Sequence, residues 1–260
     1  MPGLSREQWQ VSTRRDEATR SRRASGVFVT GTGTEIGKTV VAAVLARTLA
    51  DDGKSVAVFK PALTGMDEFP SYDEARASAA TSDGAASIEN LPDHAMLRAA
   101  ARSSQTADEI TPYRFGPPMS PHLAAGLAGI EIDPERVMAA ARAAADGVEA
   151  IVCEGAGGLL VPLAPTWTMR SCAVELGYPL VIVSPPGLGS INHTLLTVES
   201  ARSVGLKVAA IVLNPWPEDP TPIEADNHET IAAMSGVEVL TLPQLDLARP
   251  DTWPKLRLPE

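Results

Sequence analysis

The sequence predicts an α/β domain, a mostly parallel sheet with helices on both faces. Three observations point there. Short, continuous apolar runs recur along the chain, segments with apolar residues at helical spacing lie between them, and Gly-rich or polar turns separate the two. A strand that is apolar on both sides must be buried on both faces. That condition is met by parallel strands joined through helical crossovers.

The elements follow in order. Val27-Phe28-Val29 is the first apolar run, stopped by a Gly/Thr loop, and Val40 to Leu49 then repeats apolar residues at helical spacing. Ser55 to Phe59 reads as a second strand. Residues 66–110, rich in Ala, Ser and Asp, read as a loop-and-helix insertion. Pro134 to Ala145 is Ala-rich and helical, with Asp133 as N-cap and Pro134 in the first turn, where its missing N–H has no partner to lose. Ala150 to Cys153 and Leu180 to Val183 are buried strands, and a helix runs from about Ile191 to Val204. Val208 to Leu213 and Val237 to Leu240 complete the series, without internal repeats.

Residues 1–25 read as a disordered N-terminal extension, leaving 26–260 as one domain. The extension is polar, has no apolar h-region and so is no secretory signal. It holds six arginines against three acidic residues, whereas the rest of the chain carries 16 basic and 29 acidic residues.

Composition narrows the function classes. With 44 % hydrophobic and 21 % charged residues, the 260-residue chain is globular in profile. The formal net charge of −10 argues against a nucleic-acid partner, which a basic face would serve. No apolar run approaches the ~20 residues of a membrane span. Cys153 and Cys172 have no CxxC spacing, so a disulfide framework is not expected and a cytoplasmic setting is.

The sharpest motif is Val29-Thr30-Gly31-Thr32-Gly33-Thr34-Glu35-Ile36-Gly37-Lys38-Thr39, between a strand and a helix. Triphosphate oxygens need many donors at close range. A Gly-rich turn offers backbone N–H groups, and a helix N-terminus adds its dipole. Lys38 can reach the outer phosphates, and Thr39 can place its hydroxyl on Mg²⁺. The loop is one residue longer than the usual P-loop. Gly31 and Gly37 have five residues between them, and Thr32 stands where a Gly is usual. Glu154 ends the strand Ala150-Ile151-Val152-Cys153 and begins Glu-Gly-Ala-Gly-Gly, a position from which an acid can hold the same ion. Lys60 ends the second strand, where ligands gather in doubly wound sheets.

Together these residues resemble the dethiobiotin synthetase family. Its lengthened loop T-G-T-x-T-E-x-G-K-T is matched at 30–39, K-P-x-x-[ST]-G at 60–65 and E-G-A-G-G at 154–158. P-Y-x-F and S-P-H are matched at 112–115 and 120–122, and L-G-x-I-N-H at 188–193. The resemblance spans about Val27 to Leu242. It implies a single P-loop NTPase-like domain with MgATP as co-substrate. The implied reaction joins CO₂, from bicarbonate, to 7,8-diaminopelargonate and closes the ring to dethiobiotin.

Carried over by position, Glu35, Ile36, Gly37, Lys38, Thr39 and Val40 would cradle the phosphates, with Gly155, Ala156 and Gly157 alongside. Thr39, Asp93 and Glu154 would hold Mg²⁺, with Asp83 or Asp73 as alternatives to Asp93. Lys38 and Lys60 would neutralise carbamate and phosphoryl charge. Thr34 and Thr64 would meet the diamine, and Asn214 the adenine. Gly189, Ser190, Ile191 and Asn192 would bind the substrate carboxylate, in trans, so the resemblance implies a homodimer with shared active sites. Three departures stand out, the first being a segment between Gly65 and Asp93 that is longer than usual for the family. Pro215 follows Asn214 where the family often has Asp, and Asn227 or His228 lies where some members use a Tyr for the carboxylate.

Two other readings fit parts of the motif. A cobyrinate-type amidoligase would carry a glutaminase domain, for which 260 residues leave no room. A ParA/MinD-type switch ATPase would carry a second lysine in the loop, where Thr34-Glu35 stands here, and often a membrane helix, where the tail here is Pro-rich.

Overall fold

The computed structural model describes residues 24–68 and 91–259. Nearly all of the expected N-terminal extension, and the segment with Asp73 and Asp83, lie outside the described residues. In chain order the first elements are β1 (Ser25–Gly31), α1 (Lys38–Asp51), β2 (Val56–Phe59), α2 (Asp93–Ala101) and α3 (Ala107–Ile110). Next come α4 (Pro121–Leu127), α5 (Pro134–Ala145), β3 (Ala150–Gly158), β4 (Pro162–Ala164), β5 (Trp167–Thr168) and α6 (Met169–Leu176). The chain closes with β6 (Leu180–Ser184), α7 (Ser190–Arg202), β7 (Val208–Trp216), α8 (Pro222–Ser235) and β8 (Val239–Pro243).

Six strands form one parallel sheet in the order β2-β3-β1-β6-β7-β8. Alternation along each strand divides the core. Phe28, Ala57, Phe59, Ile151, Cys153 and Leu180 point to one face, against α5 and α6. Ile182, Ile211 and Leu213 continue that face under α7 and α8, through Val198 and Ile231. Val29, Val56, Val58, Val152, Val181, Val183 and Val212 point to the other, against α1, α2 and the C-terminal segment. Each fully buried large side chain stabilises this arrangement by roughly 1.5–3 kcal/mol. A one-residue slip of any strand would exchange its two faces.

Sequence and structure differ mainly in length. β3 continues through the glycines to Gly158, and β1 begins already at Ser25. β8 starts at Val239, while Val237 is buried in the cluster under α8. Asp133 caps α5 as expected, its Oδ1 accepting from Glu135 N–H at 2.9 Å. Cys153 and Cys172 are buried and free. Among the described residues no helix is long and apolar enough to cross a membrane.

From β1 the chain passes to β2 on one side, and from β3 it crosses to β6 on the other. The carboxyl ends of β1, β2 and β3 therefore meet where connections part in opposite directions, the usual ligand crevice of an open parallel sheet.

Candidate active site

The loop between β1 and α1 is shaped by two residues with positive φ. Glu35, at φ 57°, takes a left-handed conformation that costs a non-glycine residue roughly 1–2 kcal/mol. Gly37, at φ 81°, is the N-cap of α1. A side chain there would be strained by the positive φ and would push the Asn214 amide from its place. Asn214 Nδ2 in turn donates to the Ile36 carbonyl at 3.2 Å. At the other end the loop is tied to β6, with Thr32 N–H donating to Val183 O at 3.0 Å. Lys38 Nζ donates to Gly33 O at 2.8 Å, so its ammonium lies back over its own loop. Thr34 and Glu35 are exposed, and Val40 is half-buried at the start of α1.

Beside this loop three segments meet. Lys60, at the end of β2, puts Nζ 2.7 Å from Asp93 Oδ2 and 2.7 Å from Glu154 Oε1. Glu154 Oε1 also accepts from Thr39 Oγ1 at 2.9 Å, and Asp93 joins the group through Lys60. Asp93 opens α2, where the helix dipole favours a carboxylate. The Lys60 and Glu154 side chains are 4 % and 1 % exposed, so neither charge has water as its main partner.

Burial would lower the Lys60 pKa, but Asp93 and Glu154 more than reverse this and hold the ammonium charged. Burial also pushes both carboxyls up. For Asp93 the Lys60 charge wins and holds it below the usual range, whereas for Glu154 desolvation wins and its pKa rises. Lys38 is lowered, by burial first.

The donor set fits a hard divalent cation. Two carboxylates meet at Lys60, the Thr39 hydroxyl joins them through Glu154, and Glu154 Oε2 is buried without a hydrogen-bond partner. Among the described residues no three His, Cys, Asp or Glu side chains form a metal cluster. Mg²⁺ needs none, because it is commonly held by one or two carboxylates, with phosphates and water completing six oxygens.

Beyond Lys60, Leu63 bridges to Arg114, and the neighbouring Thr64 is half-buried. Gly155 is buried in β3, and Ala156 and Gly157 are half-buried beyond it. Gly189, at φ 91°, is the N-cap of α7 and makes no side-chain cap. Ser190 Oγ is buried without a partner, while Ile191 is half-buried and Asn192 exposed. Among the described residues no hydrogen bond or ion pair joins the Gly189–Asn192 turn to the Lys60 cluster.

A protein-family model described as an AAA domain matches residues 25–251. The ATP-dependent dethiobiotin synthetase BioD of Anaeromyxobacter dehalogenans (strain 2CP-1) is 40 % identical over 217 residues, 84 % of this chain and 88 % of that one. That of Bacillus subtilis (strain 168) is 35 % identical over 216 residues, 83 % of this chain and 85 % of that one. The chain belongs to the dethiobiotin synthetase family. Among solved structures, a ParA family ATPase from Chlorobium tepidum covers 85 % of each chain at 16 % identity, with a TM-score of 0.48.

In this dethiobiotin synthetase family member, Ser184 and His94 escaped sequence reasoning, whereas Asn227 and His228 were marked by position and their contacts were not. Ser184 accepts from Thr194 Oγ1 at 2.9 Å and pairs with Thr32 Oγ1 at 3.4 Å, linking the phosphate loop to α7. The signal was a polar residue closing the apolar run Leu180 to Val183. His94 is buried beside Asp93, and burial, with Arg114 and Arg98 nearby, pushes its pKa down to about 4. Asn227 braces the turn before α7, donating to Pro186 O at 2.8 Å and Gly187 O at 2.9 Å. His228 packs edge-on against Trp216.

Proposed function

We propose that this protein makes dethiobiotin from 7,8-diaminopelargonate, CO₂ and ATP, as a cytoplasmic homodimer. The observation that carries the reading is the cluster of Lys60, Asp93, Glu154 and Thr39 beside the long phosphate loop. Family membership supplies the substrate class. The free buried cysteines suit a reducing compartment.

One amine of the diamine adds to CO₂ and loses a proton, giving a carbamate. A carbamate oxygen attacks the γ-phosphorus, and ADP leaves. The second amine attacks the carbamoyl carbon of this mixed anhydride, the ring closes, and phosphate leaves with the former carbamate oxygen. Phosphorylation is required because a bare carbamate oxygen is a poor leaving group.

The chain's own part is positioning and charge neutralisation. Backbone N–H groups from Glu35 to Val40, flanked by Gly155, Ala156 and Gly157, would bind the phosphates, and Lys38 would turn from Gly33 O onto their outer oxygens. Thr39, Asp93 and Glu154 would hold Mg²⁺, which when bound screens phosphoryl charge and fixes its orientation. Lys60 would meet the carbamate, with Thr34 and Thr64 against the diamine. Asn214 would turn its amide to the adenine. The Gly189-Ser190-Ile191-Asn192 turn, with the orphaned Ser190 hydroxyl and the N-terminal N–H groups of α7, would bind the substrate carboxylate of the partner's site.

The test is a reconstituted reaction. Dethiobiotin should accumulate with one ADP per turnover only when diamine, bicarbonate and MgATP are all supplied. ATP hydrolysis that proceeds unchanged without the diamine, with no dethiobiotin formed, would refute the reading.

A further inference from the structure

Lys60 occupies ground that a metal ion would need. Its Nζ is 2.7 Å from each of the two carboxylates, and the Glu154 oxygen it touches is the one that also receives the Thr39 hydroxyl. A Mg²⁺ held by Asp93 and Glu154 would lie about 2.1 Å from their oxygens. That places it within a few ångström of an ammonium in the same buried space. Two cations that close, in a site where water screens little, exclude one another.

The lysine cannot retreat into the core, because its side chain is 4 % exposed and an unpaired buried charge is strongly unfavourable. It can leave only outward, for solvent or for another anion. Lys38 does not fill the same role, since its ammonium is on the Gly33 carbonyl.

We propose that Lys60 is a displaceable counter-ion of the metal site. Without metal it bridges Asp93 and Glu154, and metal loading drives it out toward the anionic phosphoryl acceptor, so ion and lysine exchange places. The inference rests on the reading of Thr39, Asp93 and Glu154 as the metal ligands. Metal loading and acceptor binding then favour one another, because each gives the other's displaced charge a partner. The lysine also acts as a latch, kept off the acceptor until the ion has arrived.

The experiment measures Mn²⁺ binding to the full-length protein by electron paramagnetic resonance, with metal alone. The apparent affinity is the intrinsic affinity scaled by the fraction of molecules in which Lys60 has left. If that fraction is about one in ten or less, Lys60→Met should bind Mn²⁺ about tenfold tighter or more, against the ordinary effect of removing a residue from a site. Equal or weaker binding by a folded Lys60→Met protein would overturn the proposal.

Glu154→Gln, with Lys60 intact, separates the underlying reading. If it binds Mn²⁺ as wild type does, the metal lies elsewhere and the proposal falls with that reading. If Lys60→Met fails to fold, amine acylation of the wild type read by mass spectrometry decides. Labelling of Lys60 should rise on adding Mn²⁺ while the exposed Lys54 and Lys255 stay constant, and unchanged protection of Lys60 would overturn the proposal.

Discussion

Lys38 and Lys60 are both buried lysines, and their partners set them apart. Lys38 has a neutral carbonyl, Gly33 O, at 2.8 Å, and burial lowers its pKa. Lys60 has two carboxylates and is held charged. A carbonyl is easily given up for a phosphate, which suits the role proposed for Lys38 on a triphosphate. Replacing it with Ala should lower turnover by about 10²–10³, the usual loss when one preorganised charge contact is removed. Steady-state dethiobiotin formation measures this, and a rate within about threefold of wild type would contradict it. Both lysines were legible in the sequence, Lys38 from its Gly-Lys-Thr context and Lys60 from its place at a strand end. Their contacts were not, because the Lys60 cluster joins the end of β2 and the middle of β3 to the start of α2. The positions of Asp93 and Asn227 came only by counting within a family pattern, and Ser184 and the bracing role of Asn227 were passed over, because hydrogen bonds that tie a turn in place leave no periodic trace.

At the scale of elements, α1 shows what pattern reading finds and misses. Its apolar spacing announced a helix, and it runs over Lys38–Asp51. The segment lying along it, 244–258, carries no period because it is extended around a short 3₁₀ turn at Pro250–Thr252. Two side chains anchor it, Trp253 at 8 % and Leu256 at 6 % exposure, in the cluster beneath α1. Leu256 N–H donates to Thr48 Oγ1 at 3.0 Å, and Thr48 Oγ1 donates onward to Val44 O at 2.8 Å. Lys255 and Arg257 pair with Asp52 at 2.7 and 2.9 Å, and Arg47 pairs with Asp251. Burial should outweigh these exposed ion pairs. Leu256→Ala should lose about 2 kcal/mol, at the lower end for a buried leucine. That lowers Tm by roughly 4–8 °C in a domain of this size, whereas Asp52→Asn should move it by no more than about 2 °C. Thermal unfolding of the two variants checks the order, and a larger drop for Asp52→Asn would contradict it.

For the whole molecule, alternation of strands and helices gave the α/β class, because it depends only on local runs. The strand order did not follow, since β1 pairs with β3 and β6 rather than with β2, a choice made by long-range packing. β4 and β5, at three and two residues, are too short for any pattern to register. Quaternary structure is the next level, and the residues around α7 bear on it. Leu188 is 94 % and Leu196 55 % exposed, flanking the turn proposed to serve a second chain. If sites are shared, Lys38→Ala chains mixed with Asn192→Ala chains should regain activity, each heterodimer holding one intact site; verified subunit exchange without recovery would place the whole site within one chain. The chemistry can be followed by oxygen. In the proposed reaction a carbamate oxygen from CO₂ bridges to phosphorus and departs with it. With ¹⁸O-labelled bicarbonate in unlabelled water, read before the label exchanges, the released phosphate should carry one ¹⁸O per dethiobiotin formed; phosphate without label, at the same yield of dethiobiotin, would contradict a phosphorylated carbamate.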